Sequence, residues 1–397
     1  MSNHEGLVQG HCDSRFEKVK EIFSESFKNG TEIGAAVSFT LDGESVVDLW
    51  GGHKDKALAE PWEADTLVNV YSTTKGMTAI CAHQLIEKGL LDVSAPVAHY
   101  WPEFAAQGKE HLPVHYLLSH RAGLPAVKSP LPEGALYDWD KLTAALAAQE
   151  PWWEPGTQHG YHALTFGHLV GELIRRISGK TVGQYFQEHV AEPLNADFHI
   201  GVGPEFDPRI SDLYGSLASS SSSPERDALP EPIRQFMQAM SDPTTMTGAA
   251  FNNPPIAEGA VNSRAWRQAE IPAANGHGTA RSLARIYGAL SRGGEVDGIR
   301  ILRPETIDRA ITQQADGPDA VLGGMPMRFG LGFMLRSIVM PLSPSPRAFG
   351  HPGAGGSLGM ADPDAGVGFG YTMNRMKPGL VGGASAFAML GAFFDAL

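Results

Sequence analysis

Strand-forming segments cluster at the two ends of this chain and helix-forming segments fill its middle, which leaves few folds open. Residues 35–40 and 45–50 are β-rich and are joined through Asp42-Gly43, a dipeptide suited to a two-residue hairpin turn. Residues 329–340, 347–350, 358–361 and 367–373 read as strands again. Between the two groups, helical periodicity recurs at 164–177, 182–190 and 279–290, interrupted by Pro and Gly. Two further helices flank the strands. One covers 16–27, with Phe16, Val19, Ile22 and Phe23 on one side; the other lies in 379–397, with Phe387, Leu390, Phe393 and Phe394. Strands need partners, so the pattern predicts an α/β (α+β) protein with one antiparallel sheet assembled from both termini. Residues 1–70 and 280–397 then form a sheet lobe and residues 71–279 a mostly helical lobe, with a cleft between them.

The formal net charge is −13 and no Lys/Arg-rich run occurs, which disfavours nucleic acid or an anionic membrane surface as a partner. Only two cysteines are present, Cys12 and Cys81, too few for a disulfide framework. The first 14 residues lack the apolar stretch of a signal peptide, and no apolar run reaches about 18 residues, so a cytoplasmic protein is expected. A serine run at 216–224 reads as a surface loop.

Chemistry is concentrated at Ser72-Thr73-Thr74-Lys75. With a helix beginning near Ser72, residues three apart share one face, and the lysine amine can take the serine's proton. Chance supplies about one such spacing in a chain this long, so the motif needs context. Gly355-Gly356-Ser357-Leu358-Gly359 matches the G-x-S-x-G nucleophile elbow, but no histidine follows His351, and turn residues follow where that elbow needs a helix. Ser357 is therefore expected in a strand beside a site. The histidine groups His111/His115/His120 and His159/His162/His168 lack zinc-ligand spacing and read as solvated or hydrogen-bonded side chains. No Walker loop and no strand-linked GxGxxG occurs, so neither phosphate chemistry nor a cofactor is expected. Tyr161 follows a Pro-Gly turn and precedes a helix, where its hydroxyl can reach a cleft. His351-Pro352-Gly353-Ala354 ends a strand in a glycine-rich turn, where backbone approaches a ligand closely.

These segments resemble the serine β-lactamase and penicillin-binding-protein superfamily, and most closely the family VIII carboxylesterases built on the class C β-lactamase fold. Ser72-Thr73-Thr74-Lys75, Tyr161-His162-Ala163 and His351-Pro352-Gly353 stand in family order. Lys88-Gly89-Leu90-Leu91-Asp92 and Leu117-Leu118-Ser119-His120-Arg121-Ala122-Gly123-Leu124 support the likeness. Class C lactamases carry Asn where Ala163 stands and Lys where His351 stands, and both departures favour esters over lactams. The resemblance implies an ester hydrolase with Ser72 as nucleophile and Lys75 and Tyr161 sharing the proton work. The N–H groups of Ser72 and Ala354 would hold the oxyanion, while His351 and Gly353 would flank the substrate. His351 would hydrogen-bond Tyr161 or the substrate. Which of Lys75 and Tyr161 is the base stays open. The expected partner is a small-molecule ester, with no metal. Lactam or D-amino amide hydrolysis, acyl transfer, and a non-catalytic scaffold are the alternatives. Trp152, Trp153, Trp266, Phe251 and Met246 are candidate pocket walls, and 216–275 a candidate cover for the cleft.

Overall fold

The computed structural model describes residues 8–215 and 231–397; the serine run at 216–224 lies outside them. Its large sheet has nine strands. In chain order they are β1 (Val8–Cys12), β2 (Gly34–Leu41), β3 (Glu44–Gly52), β4 (Ala315–Pro318), β5 (Pro326–Phe329), β6 (Met334–Leu335), β7 (Phe349–Pro352), β8 (Leu358–Asp362) and β9 (Val367–Met373). The spatial order is β1-β3-β2-β9-β8-β7-β6-β5-β4, with every pair antiparallel. The central pair, β2 and β9, joins the two ends of the chain in register from Ala35↔Met373 to Leu41↔Val367. This is the sheet built from both termini that the strand pattern predicts.

Local chemistry explains the joints. Asp42 and Gly43 take φ of 51° and 88°, the left-handed pair that a tight β2–β3 hairpin requires. Strand β9 alternates large and small residues. Phe369 faces the helix pair α1 (Glu17–Lys28) and α8 (Ala384–Phe394), where Phe393 stacks on Phe16 at 4.2 Å and on Phe39 at 4.1 Å. On the opposite face Gly368 and Gly370 admit helix α7 (Ala280–Ser291): a Cβ on either would lie within 2.3 Å of α7 backbone. The sheet is thus sandwiched between α1/α8 and α7.

The helical part comprises α2 (Thr74–Glu87), α3 (Trp139–Ala148), α4 (Thr165–Ser178), α5 (Glu231–Ser241) and α6 (Met246–Asn252), among shorter turns. Helix α2 is buried on nearly every side. A four-stranded sheet feeds it: Leu67–Asn69 pairs with Gly276–Gly278 and Ile210–Ser211, and the chain then turns into Ser72. None of the described helices is long and apolar enough to cross a membrane.

The expected strand at 329–340 is broken. Leu331 N–H bonds Ala310 O and Gly332 N–H bonds Leu118 O, both at 2.7 Å, so the chain leaves the sheet between β5 and β6. Gly332, at φ 89°, comes so close to α2 that a Cβ would sit 2.5 Å from that of Ala79. Beyond β6 no sheet pairing continues to residue 340. The strand expected at 347–350 instead runs from Phe349 to Pro352, which brings His351 into the sheet opposite Gly359. Pro352 is tolerated there because β6 reaches only as far as Gly350, leaving no ladder bond on that side for a proline to break.

Candidate active site

Ser72 sits in the turn two residues before α2, where backbone strain and side-chain caps shape the chain. Tyr71 has φ 44°, a left-handed conformation costly for an aromatic residue. Asn69 Oδ1 accepts its N–H at 3.2 Å and Thr74 Oγ1 donates to its carbonyl at 2.5 Å, so both sides of the strained residue are tied. Ser72 stays half-buried and reachable, while Thr73, Thr74 and Lys75 are buried.

Lys75 is fully enclosed, and its Nζ lies 3.0 Å from Ser72 Oγ, 2.7 Å from Ala163 O and 2.9 Å from Ala273 O. Burial alone drives its pKa well below the usual lysine value. Three acceptors thus surround Nζ; as a neutral amine it would donate its two N–H groups to the two carbonyls and turn its lone pair to the Ser72 hydroxyl.

Tyr161 is buried, with its ring centroid 4.7 Å from Lys75 Nζ. Burial raises the phenol pKa, a hydrogen bond with Ser72 partly offsets this, and the Asp319 charge adds to the rise. The phenol therefore stays protonated. Its main chain belongs to no helix or strand; α4 begins at Thr165.

The end of β7 closes the site. His351 is buried, and its Nδ1 donates to Pro352 O at 2.8 Å. Its Nε2 has no hydrogen-bond partner and its ring centroid is 6.1 Å from that of Tyr161, so the expected bond to Tyr161 is not made. Burial holds the imidazole neutral, with a pKa near about 3. Gly353 packs against the Ser72 turn so tightly that a Cβ would lie 2.1 Å from both Val70 O and Ser357 Oγ. Ser357 Oγ donates to Val70 O at 2.8 Å and lies 3.1 Å from Thr73 Oγ1. Ser357 lies beside the site as expected, but one residue before β8 rather than in a strand, where it clamps the start of β8 to the nucleophile's turn; no histidine touches its hydroxyl among the described residues. The N–H groups of Ser72 and Ala354 make no hydrogen bond within the described residues, which leaves both free as donors.

The structure therefore brings Ser72, Lys75, Tyr161, His351, Gly353 and Ala354 to one place. Several contributors escaped the sequence reading: the carbonyls of Ala163 and Ala273, the Asn69 and Thr74 caps, and the buried Asp319. A carbonyl oxygen has no sequence signature, and Asp319 stands in none of the motifs. Of the histidines expected to be solvated or hydrogen-bonded, His111 is exposed, and His115, His120 and His162 are hydrogen-bonded to Val93 O, His162 N–H and Gly160 O; His120, His159, His162 and His168 are buried. Tertiary packing encloses the four, and burial depresses the pKa of each. Among the described residues no group of three or more His, Cys, Asp or Glu is placed to hold a metal ion. Of the candidate walls, Trp152, Met246 and Phe251 pack against the apolar cluster that contains Tyr161 and Ala354. Trp266 instead meets Tyr71 edge-on at 6.3 Å.

Comparison with known proteins places the chain in a family. The Beta-lactamase family profile matches residues 19–392. The chain is 37% identical over 392 residues to Esterase/beta-lactamase LipL of Mycobacterium tuberculosis, covering 96% of this chain and 87% of that protein. A family VIII carboxylesterase crystal structure superposes with a TM-score of 0.88 at 41% identity, covering 98% of this chain and 100% of the other. A penicillin-binding protein homolog from Caulobacter crescentus superposes equally well, with a TM-score of 0.88 at 36% identity and coverage of 98% and 100%. The resemblance carried by the three ordered motifs is borne out, and the chain belongs to the Beta-lactamase family.

Proposed function

We propose that this serine hydrolase cleaves small carboxylic esters, with short acyl groups preferred, through an acyl-enzyme on Ser72. The observation that carries the reading is the enclosure of Lys75. Its amine is desolvated, 3.0 Å from Ser72 Oγ and within hydrogen-bond distance of the carbonyls of Ala163 and Ala273. Burial moves the two proton-handling groups in opposite useful directions. It favours the neutral amine, a base, and the neutral phenol, an acid.

In this reading Lys75 accepts the Ser72 proton as Oγ attacks the ester carbonyl. The tetrahedral oxyanion lies between the N–H groups of Ser72 and Ala354. Tyr161 donates its proton to the departing alkoxide and regains one from the Lys75 ammonium, so one proton passes in net from the serine to the alcohol and the pair is restored. Water then attacks the acyl-enzyme, passes a proton to the same pair, and Ser72 departs. The two groups titrate as one coupled unit.

Two features favour esters over lactams. Ala163 offers only a methyl group, and the neutral His351 carries no charge to pair with a carboxylate. The family VIII carboxylesterase neighbour supports the same preference, and the double name of LipL keeps lactam cleavage as the second reading. A panel of p-nitrophenyl esters, a chromogenic cephalosporin and a D-amino acid amide, run on wild type and Ser72→Ala, tests it. Ester turnover should dominate and vanish in the variant. Faster lactam turnover, or ester turnover that survives Ser72→Ala, overturns the proposal.

A further inference from the structure

Asp319 belongs to none of the three motifs. It lies in the turn between β4 and β5, at the edge of the sheet opposite β1, and its side chain is fully buried. Its Oδ1 accepts three backbone N–H groups: Val321 at 2.9 Å, Leu322 at 2.9 Å and Tyr161 at 3.0 Å. The first two close the hairpin turn, the ordinary task of an aspartate in a turn. The third crosses 158 residues of sequence to the residue that carries the phenol. A second bond runs beside it, from Ala320 N–H to His159 O at 3.0 Å. The same hairpin supplies Phe329, whose ring lies nearly parallel to that of Tyr161 at 6.4 Å.

No ladder or helix fixes the main chain at Tyr161, so these bonds carry the work. Gly160 N–H goes to His120 O and His162 N–H to His120 Nδ1, which leaves Tyr161 N–H to Asp319. A hydrogen bond to a carboxylate is about twice as strong as one to a neutral acceptor. The other oxygen shows that turn closure alone does not account for the residue. Oδ2 is buried without a hydrogen-bond partner, 3.9 Å from His159 Nε2, which is also unpartnered. A buried charge with one bare oxygen is costly, and a cap that only closed a turn would not need it.

We propose that Asp319 is a positioning residue: it fixes the backbone of Tyr161 so that the phenol reaches the group leaving Ser72. This rests on the reading of Tyr161 as the acid. The test is a double-mutant cycle on the full chain with an alkyl ester, ethyl butyrate, whose alkoxide needs a proton to leave, followed by pH-stat and with each rate normalised to Ser72 sites titrated by a fluorophosphonate. Asp319→Ala should lower kcat by about tenfold to a hundredfold, with KM changed by less than about twofold, because misplacement by about 1 Å can cost that much. Asp319→Asn keeps an acceptor oxygen and should recover most of the loss. On a Tyr161→Phe background, Asp319→Ala should cost nothing further. Losses that multiply overturn the proposal and leave the role of Tyr161 standing. An unchanged kcat in Asp319→Ala overturns it as well. If Tyr161→Phe alone leaves kcat unchanged, the acid reading fails and this inference falls with it. Should Asp319→Ala not fold, the cycle run with Asp319→Asn decides: its smaller loss must disappear on the Tyr161→Phe background, and a loss that persists there refutes the assignment.

Discussion

Removing the charge of Asp319 should stabilise the protein, by an amount that depends on pH. Burial raises the carboxyl from 3.8 to about 6, despite three N–H bonds that pull it down. A raised folded pKa means the folded state holds the proton more tightly than the unfolded chain does. Stability therefore falls as pH rises between the two values, and the whole cost is in place above about pH 6. The shift is about 2 units at about 1.4 kcal/mol each, so ionised Asp319 costs on the order of 3 kcal/mol at about pH 8. The same linkage leaves about half of that at about pH 5. Asp319→Asn does not titrate, keeps the Oδ1 acceptor, and turns an N–H toward the unpartnered His159 Nε2. With an unfolding entropy of about 2 cal/mol/K per residue, 3 kcal/mol in a chain of this size raises Tm by about 4 °C. Thermal unfolding of wild type and variant at about pH 8 and about pH 5 measures both the gain and its decline. A variant no more stable at the higher pH, or one with an equal gain at both, would refute the account of Asp319 as a buried, uncompensated charge.

Three other outcomes follow from the site. Because burial lowers the Lys75 pKa, the active, deprotonated amine forms below the ordinary lysine range; kcat/KM should level off well below about pH 10, and Lys75→Arg, which cannot lose its proton, should lower kcat by more than about a hundredfold. A pH–rate profile still climbing at about pH 10 would contradict this. Gly353→Ala puts a methyl group 2.1 Å from Val70 O and Ser357 Oγ; an overpacking cost of about 1–3 kcal/mol is expected in thermal unfolding, together with slower acylation as Ala354 N–H is displaced. Ser357→Ala removes two contacts to the Ser72 turn; it should cost about 1 kcal/mol of stability while a fluorophosphonate still labels Ser72, and loss of labelling seen by mass spectrometry would restore Ser357 as the nucleophile.

Residues whose neighbours lie close in sequence were the legible ones. The hairpin at Asp42-Gly43 is written in its dipeptide. Strand β9 is written in its alternation, and α1 and α7 in their apolar faces. Strands β1 and β4 were missed because each is an edge strand, paired on one side only. Val-Gln-Gly-His-Cys and Ala-Asp-Gly-Pro accordingly carry no alternating apolar face. The run at 329–340 was over-extended because its apolar residues serve two cores. Phe329 lies in the cluster of the sheet and α1/α8, whereas Leu331 and Phe333 lie in the cluster of α2 and α4. Composition cannot tell those destinations apart.

Within the site the same division holds. Spacing suggested Ser72 and Lys75, which covalent neighbourhood brings together, and the family resemblance of the three ordered motifs pointed to Tyr161 and His351. Whether Lys75 is a base was beyond the reach of the sequence. Its lowered pKa comes from complete enclosure, and its orientation from two carbonyls 88 and 198 residues away. The bond from Tyr161 to Asp319 spans a comparable distance. A pKa is set by every group that replaces water around a side chain, and those groups arrive from separate segments once the chain has folded. The sequence by itself determined which groups can do acyl-transfer chemistry; the tertiary structure decided their protonation states and the aim of each.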